Sequence, residues 1–425
     1  MNSDSTTVGI PGSDFPGVKA VLKVSEGDRV SAGDVLFQDK RDSRICSFSP
    51  VSGRVAQIHR GARRTLTSIS IVQSGGVEQG ATEVAPAIPQ DRGALITLLL
   101  GSGMWARLRQ RPFGTIPLTT VKPRMLFISA MDSGEGAPDP MILLSQEMTA
   151  FRLGLELFSL LPTEETVLCL QKKLSIQPLK TGALKQVTFS GKQSGSLPGT
   201  HIHRLSNPTP DNPVFAIDYR TVIELGQLLS GMTTEAEHRV EISGEGISRP
   251  GIYAATPGTP IKLLLERAGG SMDLPNIRVV AGPALDGRQI SSANAFLGVF
   301  ENQLRVLAET PLKGSRGLPG LPVFDRTSLL AKICTRDIFA PTETNMNGAF
   351  ASMVPAESIE RVWPHRVPVI PLLRALVTED DETALALGAL AFIEEDMSRV
   401  SWACPGKYNY GQALRAFLDR IQLDM

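Results

Sequence analysis

Cysteine is scarce in this sequence. The 425 residues contain four cysteines, which lie far apart at Cys46, Cys169, Cys334 and Cys404. No two of them are close enough for the CxxC spacing of a redox motif, a zinc site or an iron–sulfur cluster. We therefore expect a protein with reduced thiols, without a disulfide framework and without an iron–sulfur cluster.

A charge imbalance and a long apolar run are also missing. The 43 basic residues are balanced by 43 acidic ones, so net charge favours neither nucleic acid nor an anionic membrane as a partner. The best apolar stretch, Ala94–Leu100, is far shorter than the ~18 residues that would indicate a membrane span. The first residues, MNSDSTTVGIPGSD, have neither the charged region nor the apolar core of a secretory leader. These absences predict a cytoplasmic chain that does not cross a membrane.

Recognisable catalytic motifs are a third absence. The sequence has no nucleophile elbow, no pair of catalytic carboxylates and no run of metal ligands. Gly134 and Gly136 follow the apolar segment Met125–Ala130, but the third glycine of a dinucleotide-binding loop is missing. Glu135 and Asp139 would repel a phosphate there. A long chain without a catalytic constellation is more typical of a binding or scaffold subunit than of a free-standing enzyme.

Residues 1–85 carry the clearest motif. Gly27-Asp28-Arg29-Val30 and Gly33-Asp34 precede Ser49-Pro50-Val51-Ser52-Gly53, a turn pattern typical of a barrel-sandwich hybrid, the fold of biotinyl and lipoyl carriers. In carriers a lysine on a tight hairpin tip bears the prosthetic group, and Lys40 is the matching residue. The tip after Lys40 is longer and more charged than in carriers. A structural docking barrel is therefore favoured, and a carrier component modified on Lys40 is the alternative.

A basic turn lies at the end of the predicted barrel. It reads Arg60-Gly61-Ala62-Arg63-Arg64. Such a turn is either a solvated face or a contact for an acidic partner surface, and the sequence leaves both open.

Residues 86–235 have the pattern of a Rossmann-like α/β domain. The predicted strands are Met125–Ala130, Thr166–Gln171 and Leu184–Ser190, and the predicted helices are 140–161 and Asp218–Leu229. Apolar residues from Leu144 to Phe158 recur at helical spacing, which indicates one continuous helix. A loop rich in proline and asparagine is expected before the second helix. Strand–helix–strand at this spacing predicts a parallel sheet.

The segment Thr200-His201-Ile202-His203 contains the only close pair of histidines. On a strand, residues two apart face the same side, so we expect both imidazoles on one face. A metal site would need further ligands, and no cysteine or carboxylate cluster stands beside the pair. Structural hydrogen bonding is therefore the favoured role.

Residues 236–308 predict a β-grasp domain, and residues 309–425 a small helical bundle. The β-grasp pattern has a hairpin at His238–Ser243 and Ile247–Ala254, a helix with Thr259 as N-cap and Pro260 in its first turn, and a return strand at Asn276–Gly282. After the Gly/Pro-rich stretch Lys313–Pro322, the predicted helices are Ile370–Val377, Glu382–Phe392 and Gly411–Ile421. The expected fold class is therefore multidomain α/β, with a lipoyl-like barrel-sandwich hybrid, a Rossmann-like layer, a β-grasp domain and a C-terminal helical domain.

Seven short segments follow one another along nearly the whole chain in an order that is specific in combination. They are VSEGDRVSAGDVLFQDKRDSRICSFSPVSGRV (24–55), GSGMWARLRQRPFGTIP (101–117), LFISAMD (126–132), GTHIH (199–203), SMVP (352–355), ERVWP (360–364) and SWACPGKYNYG (401–411). Together they resemble the NqrA family, the A subunits of the Na⁺-translocating NADH:quinone reductases. The resemblance implies that the β-grasp domain is SLBB-like.

The resemblance also implies a role. The family is a peripheral subunit on the cytoplasmic face of the bacterial inner membrane, in a complex that oxidises NADH, reduces ubiquinone and exports Na⁺. FAD, FMN, riboflavin and the iron centres are expected in partner subunits, this chain has no cofactor of its own, and the isolated chain is expected to be inactive. The B subunit, which lies in the membrane, is the expected partner. The domain order is also similar to the flavoprotein subunit of complex I and the C subunit of the Rnf complex, so an Rnf-type subunit is an alternative.

Ubiquinone binding near the contact with the membrane B subunit is part of what the resemblance implies. A quinone ring needs an apolar cleft with one or two donors to its carbonyl oxygens. Met131, Asp132, His201 and His203 are the candidates, because they lie in loops or strand ends of the matching motifs; a packing role is the alternative for each.

Two departures from the family pattern are expected to matter. The chain begins with an irregular polar stretch and reaches Val18 quickly, so we expect the barrel to lack its first strand and to have an open edge. The family carries Asn-Pro-Leu in the loop after Ala130-Met131-Asp132, and this chain has Gly134-Glu135-Gly136. If that loop borders the quinone, the affinity for quinone is expected to differ.

Overall fold

The computed structural model describes most of the chain. The described residues are 7–61, 64–73, 86–132, 137–174, 176, 179–180, 182–190, 194–231, 238–292, 294–308, 353, 357–404, 406 and 408–423. Within these residues, no helix is both long enough and apolar enough to span a membrane.

The N-terminal part is a barrel-sandwich hybrid, as predicted. Its strands are β1 (Thr7–Pro11), β2 (Ala20–Leu22), β3 (Arg29–Val30), β4 (Val35–Asp39), β5 (Cys46–Phe48), β6 (Gly53–Arg60) and β7 (Leu66–Gln73). They form one sheet in the order β1-β7-β6-β3 and another in the order β2-β4-β5. Leu36 from one sheet and Val55 from the other are fully buried in a shared apolar core. Gly27 and Gly33 adopt the positive φ angles, 91° and 89°, that their Gly-Asp turns require.

The expected missing first strand was wrong. Strand β1 pairs with β7 over five residues, from Thr7 opposite Val72 to Pro11 opposite Ser68. Glycine and proline made this segment resemble an irregular loop. Pro11 ends the strand, where a missing N–H is tolerated, and a Cβ at Gly9 would lie 2.2 Å from the ring of Phe296. Glycine is therefore present because another domain packs against this backbone.

The second domain is a Rossmann-like sheet, and its parallel strands confirm that prediction. The strands are β8 (Arg109–Arg111), β9 (Met125–Ala130), β10 (Glu165–Leu170), β11 (Leu184–Thr188) and β12 (Val214–Asp218), in the order β11-β10-β9-β12-β8. β9 runs parallel to both β10 and β12, and β8 is antiparallel at the edge. Strand β12 was predicted as a loop. Its residues are buried on both sides, so the period-two alternation of a half-exposed strand is absent.

Helices cover both faces of this sheet. They are α1 (Arg92–Gly101), α2 (Pro140–Gln146), α3 (Met148–Phe158), α4 (Pro198–Leu205) and α5 (Tyr219–Leu229). The single helix predicted over 140–161 was wrong, because Glu147 leaves helical geometry and separates α2 from α3. The apolar spacing continues across this bend and could not reveal it. Gly154 of α3 and Gly226 of α5 let these helices pack so closely that a Cβ at either would lie 1.9 Å from a carbonyl oxygen of the other helix.

The third domain has the β-grasp arrangement that the sequence predicted. Its elements are β13 (His238–Gly244), β14 (Gly251–Ala255), α6 (Ile261–Arg267), β15 (Ile277–Ala281), β16 (Arg288–Ile290) and β17 (Gln303–Ala308). The strand order is β14-β13-β17-β15-β16, with β13 parallel to β17. Thr259 is not the N-cap of α6. Pro260 holds that position without a side-chain bond, and the Thr259 hydroxyl instead donates to the carbonyl of Thr256 at 2.7 Å.

The C-terminal domain is helical, as predicted. Its described helices are Glu357–Val362, Val369–Val377, Asp381–Ala386, Glu394–Ala403 and Tyr410–Leu423. The helix predicted over Glu382–Phe392 is shorter, because Gly388 turns the chain with a φ of 83° into a 3₁₀ turn at Ala389–Ala391. The first and fourth helices were not predicted. Phe392 and Phe417 are fully buried at the centre. The stretch Lys313–Pro322 and Cys334 lie outside the described residues.

Candidate functional site

The α/β sheet has a crevice at the carboxyl ends of its parallel strands. Along the chain, β9 is followed by β10 and β11 on one side, and β12 then returns to pair with β9 on the other side. Open α/β sheets bind ligands where the strand order reverses in this way. In this chain that point lies between β9 and β12.

Three side chains occupy the point of reversal. Asp132 lies two residues beyond β9, and Tyr219 and Arg220 begin α5 directly after β12. The Tyr219 hydroxyl donates to Oδ2 of Asp132 at 3.2 Å. Arg220 donates from Nε and Nη2 to the two carboxylate oxygens of Asp218, at 3.0 and 2.9 Å. This two-point ion pair holds the guanidinium group in one orientation beside Asp132.

The β-grasp domain and helix α2 complete the crevice. His238 and Asn302 line it from the β-grasp domain, and Ile142 lines it from α2. The cavity volume is about 260 Å³, slightly below the range for small-molecule sites, which is roughly 300–1,000 Å³. Ile142 and Ile252 are 50% and 59% exposed, so the crevice has an apolar rim above a polar interior. That composition is typical of a site for a small, partly apolar ligand.

The electrostatics of the crevice favour proton exchange at Asp132. Burial of the carboxyl group raises the pKa of Asp132 to about 6, although the charge of Arg220 acts to lower it. Burial acts to lower the pKa of Arg220, but the carboxylates of Asp218 and Asp132 outweigh it and raise that pKa. The Arg220 side chain therefore stays cationic. A carboxyl group with a pKa near 6 can accept or donate a proton near neutral pH.

Glu224, one turn further along α5, connects this helix to the β-grasp domain. It forms an ion pair with Arg107, and its Oε1 lies 3.2 Å from Nε2 of His238. Burial acts to raise the pKa of Glu224, but Arg107 and His238 hold it down at about 2. Because Glu224 is ionised at neutral pH, it anchors the first residue of β13 to helix α5 across the domain boundary.

Two buried atoms of the lining residues have no hydrogen-bond partner among the described residues. They are Nδ1 of His238 and Oε1 of Gln227. The other ends of both side chains are held, since His238 faces Glu224 and Gln227 donates from Nε2 to Glu147 at 3.1 Å. A buried polar atom without a partner costs roughly 1–3 kcal/mol. Hydrogen bonding and proton exchange are thus the chemistry that this lining offers to a ligand.

The structure separates the residues that the sequence selected for quinone. Asp132 lies in the crevice. Met131 is partly buried and packs on the opposite face of the sheet, in the apolar cluster that includes Phe127 and Ile202. In the described part of the chain, no group of three or more His, Cys, Asp or Glu side chains could hold a metal ion.

The histidine pair does not lie on a strand, and that expectation was wrong. His201 and His203 belong to helix α4, which Pro198 starts at its first turn. Residues two apart on a helix point to nearly opposite sides, so the two imidazole rings face different parts of the protein. His201 is 1% exposed, its Nε2 lies 2.7 Å from the carbonyl oxygen of Gly195, and burial lowers its pKa to about 4. This hydrogen bond agrees with the structural role favoured for His201.

His203 faces the C-terminal helices instead. Its ring lies 4.8 Å from that of His365 and 5.0 Å from that of Phe392, between ring centres. Burial, together with the charge of Arg204, lowers the pKa of His203. His203 therefore contributes to the contact between the α/β and C-terminal domains.

Sequence reasoning missed Tyr219, Arg220 and His238 as site residues. Tyr219 and Arg220 become visible only once β12 is known to be a strand, because they then open a helix at a sheet's carboxyl end. His238 was placed correctly at the start of β13, but nothing local indicated its partner Glu224. Gly134 and Gly136, the partial nucleotide-binding pattern, lie outside the described residues.

Comparison with known proteins adds family information. A model of the NqrA N-terminal barrel-sandwich hybrid domain matches residues 1–74, one of the NqrA second alpha/beta domain matches residues 90–233, and one of the SLBB domain matches residues 239–291. The chain is 34% identical to the A subunit of the Na⁺-translocating NADH-quinone reductase of Aliivibrio salmonicida (strain LFI1238), over 98% of this chain and 94% of that protein. The A subunit of the same name from Neisseria meningitidis (strain Z2491) is 33% identical, also over 98% and 94%.

Proposed function

This chain belongs to the NqrA family, the A subunits of the Na⁺-translocating NADH-quinone reductases, and from that membership we propose that it works as a peripheral subunit on the cytoplasmic face of a membrane complex. That complex oxidises NADH, reduces ubiquinone and exports Na⁺. The observation that carries the proposal is likeness to the A subunits over nearly the whole chain. The isolated chain has no NADH:ubiquinone reductase activity of its own in this proposal.

The membrane B subunit is the proposed main partner, and FAD, FMN, riboflavin and the iron centres belong to partner subunits. Affinity purification of the tagged chain from native membranes should recover integral-membrane subunits together with a flavoprotein, identified by mass spectrometry. Recovery of the chain only as a free monomer would contradict this assembly. The purified chain should be colourless and should not bind NADH, and flavin absorbance in the pure chain would contradict its cofactor-free role.

The chain's own contribution is to bind ubiquinone in the crevice between β9 and β12. Asp132 was selected from the sequence, and the crevice adds Tyr219, Arg220 and His238 around it. The Tyr219 hydroxyl and a protonated Asp132 can donate hydrogen bonds to quinone carbonyl oxygens. The apolar rim of Ile142 and Ile252 is suited to the isoprenoid tail, since it stands exposed above the polar groups.

Replacing Tyr219 with phenylalanine tests this site. The change keeps the ring and removes only the hydroxyl, so short-chain ubiquinone should bind roughly three- to tenfold more weakly to the full chain. Tyr253→Phe is the matched control, because the Tyr253 hydroxyl donates to the carbonyl of Arg249 within the β-grasp hairpin and does not line the crevice. Saturation-transfer NMR measures both affinities. Equal quinone affinity for the two variants would remove Tyr219 from the site.

A contribution to quinone binding is also proposed for three residues that do not line the crevice, namely Met131, His201 and His203. Their test is His201→Gln and His203→Gln in the same binding assay, with Met131→Leu beside them. Unchanged quinone affinity in a variant removes that residue from the proposal.

The division into domains at residues 1–85, 86–235, 236–308 and 309–425 also remains a proposal. Limited proteolysis of the purified chain should cut first near residues 85, 235 and 308. Early cleavage inside one of the four segments would contradict the boundaries.

A further inference from the structure

A second cavity lies in the N-terminal barrel and shares no lining residue with the crevice. Its volume is about 340 Å³. Four basic residues line it, Lys19, Lys40, Arg60 and Arg64, and none of the described lining residues is acidic. The cavity is therefore strongly cationic, although the whole chain has no net charge.

Lys40, the residue that matches the carrier lysine, and Arg60 and Arg64 of the basic turn all line this cavity. Lys40 follows strand β4, and its backbone N–H donates to the backbone carbonyl of Lys19 at 2.9 Å, so the two lysines lie opposite each other on neighbouring chain segments. Arg60 ends strand β6 and donates from Nη1 to the carbonyl of Arg64 at 3.3 Å. Among the described residues, none of the four cations forms an ion pair with a carboxylate, whereas the adjacent Arg41 is paired with the buried Asp39. Neighbouring cations without counterions repel one another, so an anion bound among them would be favoured.

The floor of the same cavity is apolar. Phe15 and Phe37 line it, with ring centres 4.9 Å apart in an edge-to-face arrangement, and Phe37 is 1% exposed. Val21 also lines the cavity and is 37% exposed. A ligand seated there would meet cations and an apolar surface together.

We propose that this barrel cavity binds a phosphate ester, with the phosphate among Lys19, Lys40, Arg60 and Arg64 and a short apolar body over Phe15. A carboxylate would balance one of the four cations. A phosphate ester carries one to two negative charges and several strong acceptor oxygens, and arginine and lysine are its usual partners. The head group of an anionic lipid and a soluble phosphate ester share this chemistry.

The test uses the full chain and isothermal titration calorimetry. The soluble probe is dihexanoyl phosphatidic acid below its micelle concentration, with inorganic phosphate as the probe that lacks an apolar body. The cavity variant is Lys40→Gln with Arg60→Gln. Its matched control is Lys23→Gln with Arg54→Gln, which removes the same charges from exposed barrel positions outside the cavity. Circular dichroism confirms that both variants are folded.

The short-chain lipid should bind the unmodified chain more tightly than inorganic phosphate does, and its binding should weaken as salt is added. The cavity variant should lose roughly tenfold or more in affinity, since hydrogen bonds to charged groups are the strong ones, and the control should lose little. Sedimentation with phosphatidylcholine vesicles, with and without phosphatidylglycerol, identifies the source. Binding to the anionic vesicles that the cavity variant loses supports a membrane lipid, and binding of the soluble probe alone supports a soluble ester.

Three results would overturn the proposal. The first is that no phosphate probe binds, and the second is that the cavity and control variants lose affinity equally. The third is that inorganic phosphate binds as tightly as the short-chain lipid, because the apolar floor would then contribute nothing.

Discussion

Replacing Glu224 with glutamine should weaken the contact between the α/β and β-grasp domains. Glu224 is 6% exposed and is the shared partner of Arg107 and His238. Glutamine keeps the size of the side chain and removes the charge. Because Arg107 is then left next to a neutral group in a largely buried setting, the folded state should lose stability.

The size of the loss follows from the pKa. Arg107 and His238, working against burial, lower the pKa of Glu224 from 4.5 to about 2. At about 1.4 kcal/mol per pH unit, this drop corresponds to ~3 kcal/mol of stability at neutral pH, in line with the roughly 3–5 kcal/mol for breaking a buried ion pair. Since the folded-state pKa is depressed, this contribution is complete above pH 4.5 and is lost as the pH falls towards 2.

Urea unfolding at pH 7 and at pH 3 measures the effect, followed by both fluorescence and circular dichroism. The matched control is Glu357→Gln, because Glu357 is 77% exposed and pairs with Arg361 one helical turn away. Such exposed pairs contribute under about 1 kcal/mol. At pH 7 the Glu224 variant should have a clearly lower free energy of unfolding than the control. This difference in free energy should be smaller at pH 3. Two results would refute the reasoning. One is equal stability of the two variants at pH 7, and the other is a difference in their free energies of unfolding that is larger at pH 3 than at pH 7.

Three further outcomes are expected. Burial raises the pKa of Asp132 from 3.8 to about 6, so its ionisation opposes folding and stability falls as pH rises through that window; Asp132→Asn should flatten that part of the stability curve in urea titrations. Gly226→Ala should cost roughly 1–3 kcal/mol by thermal unfolding, because its Cβ would lie 1.9 Å from a backbone oxygen, whereas Gly101→Ala, with nothing within 4 Å, should be neutral or stabilising. Gly9→Ala should separate the barrel from the β-grasp domain, because its Cβ would lie 2.2 Å from the ring of Phe296. Faster proteolysis near residue 85, where the barrel ends, would show this loss of contact, and an unchanged rate of cleavage there would contradict it.

Local patterns predicted most of the elements because those elements depend on local physics. The Gly27-Asp28 and Gly33-Asp34 turns need positive φ at glycine, and strands β9 and β10 are compact apolar runs. The predictions that failed depend on distant contacts. Strand β1 contains Gly9 because Phe296 packs on it, and the bend at Glu147 leaves the apolar spacing of its helix intact.

The candidate site was only partly predictable for the same reason. Asp132 was identified because it follows a recognisable strand within a family motif. Tyr219 and Arg220 were not, since the strand before them is buried on both sides and lacks alternation. His238 was assigned to the correct strand, but its partner Glu224 lies on a helix of another domain.

By itself, the sequence determined the family, the order of the domains, and the absence of a recognisable catalytic motif. These depend on residue types and on short spacings that survive without a structure. Only the tertiary structure decided which charges meet. It placed Asp132 beside Tyr219 and Arg220 at the reversal of strand order, and it gathered Lys40 and Arg60 around one cavity. Both outcomes depend on how strands far apart in the chain pair, and such pairing is a property of the whole fold.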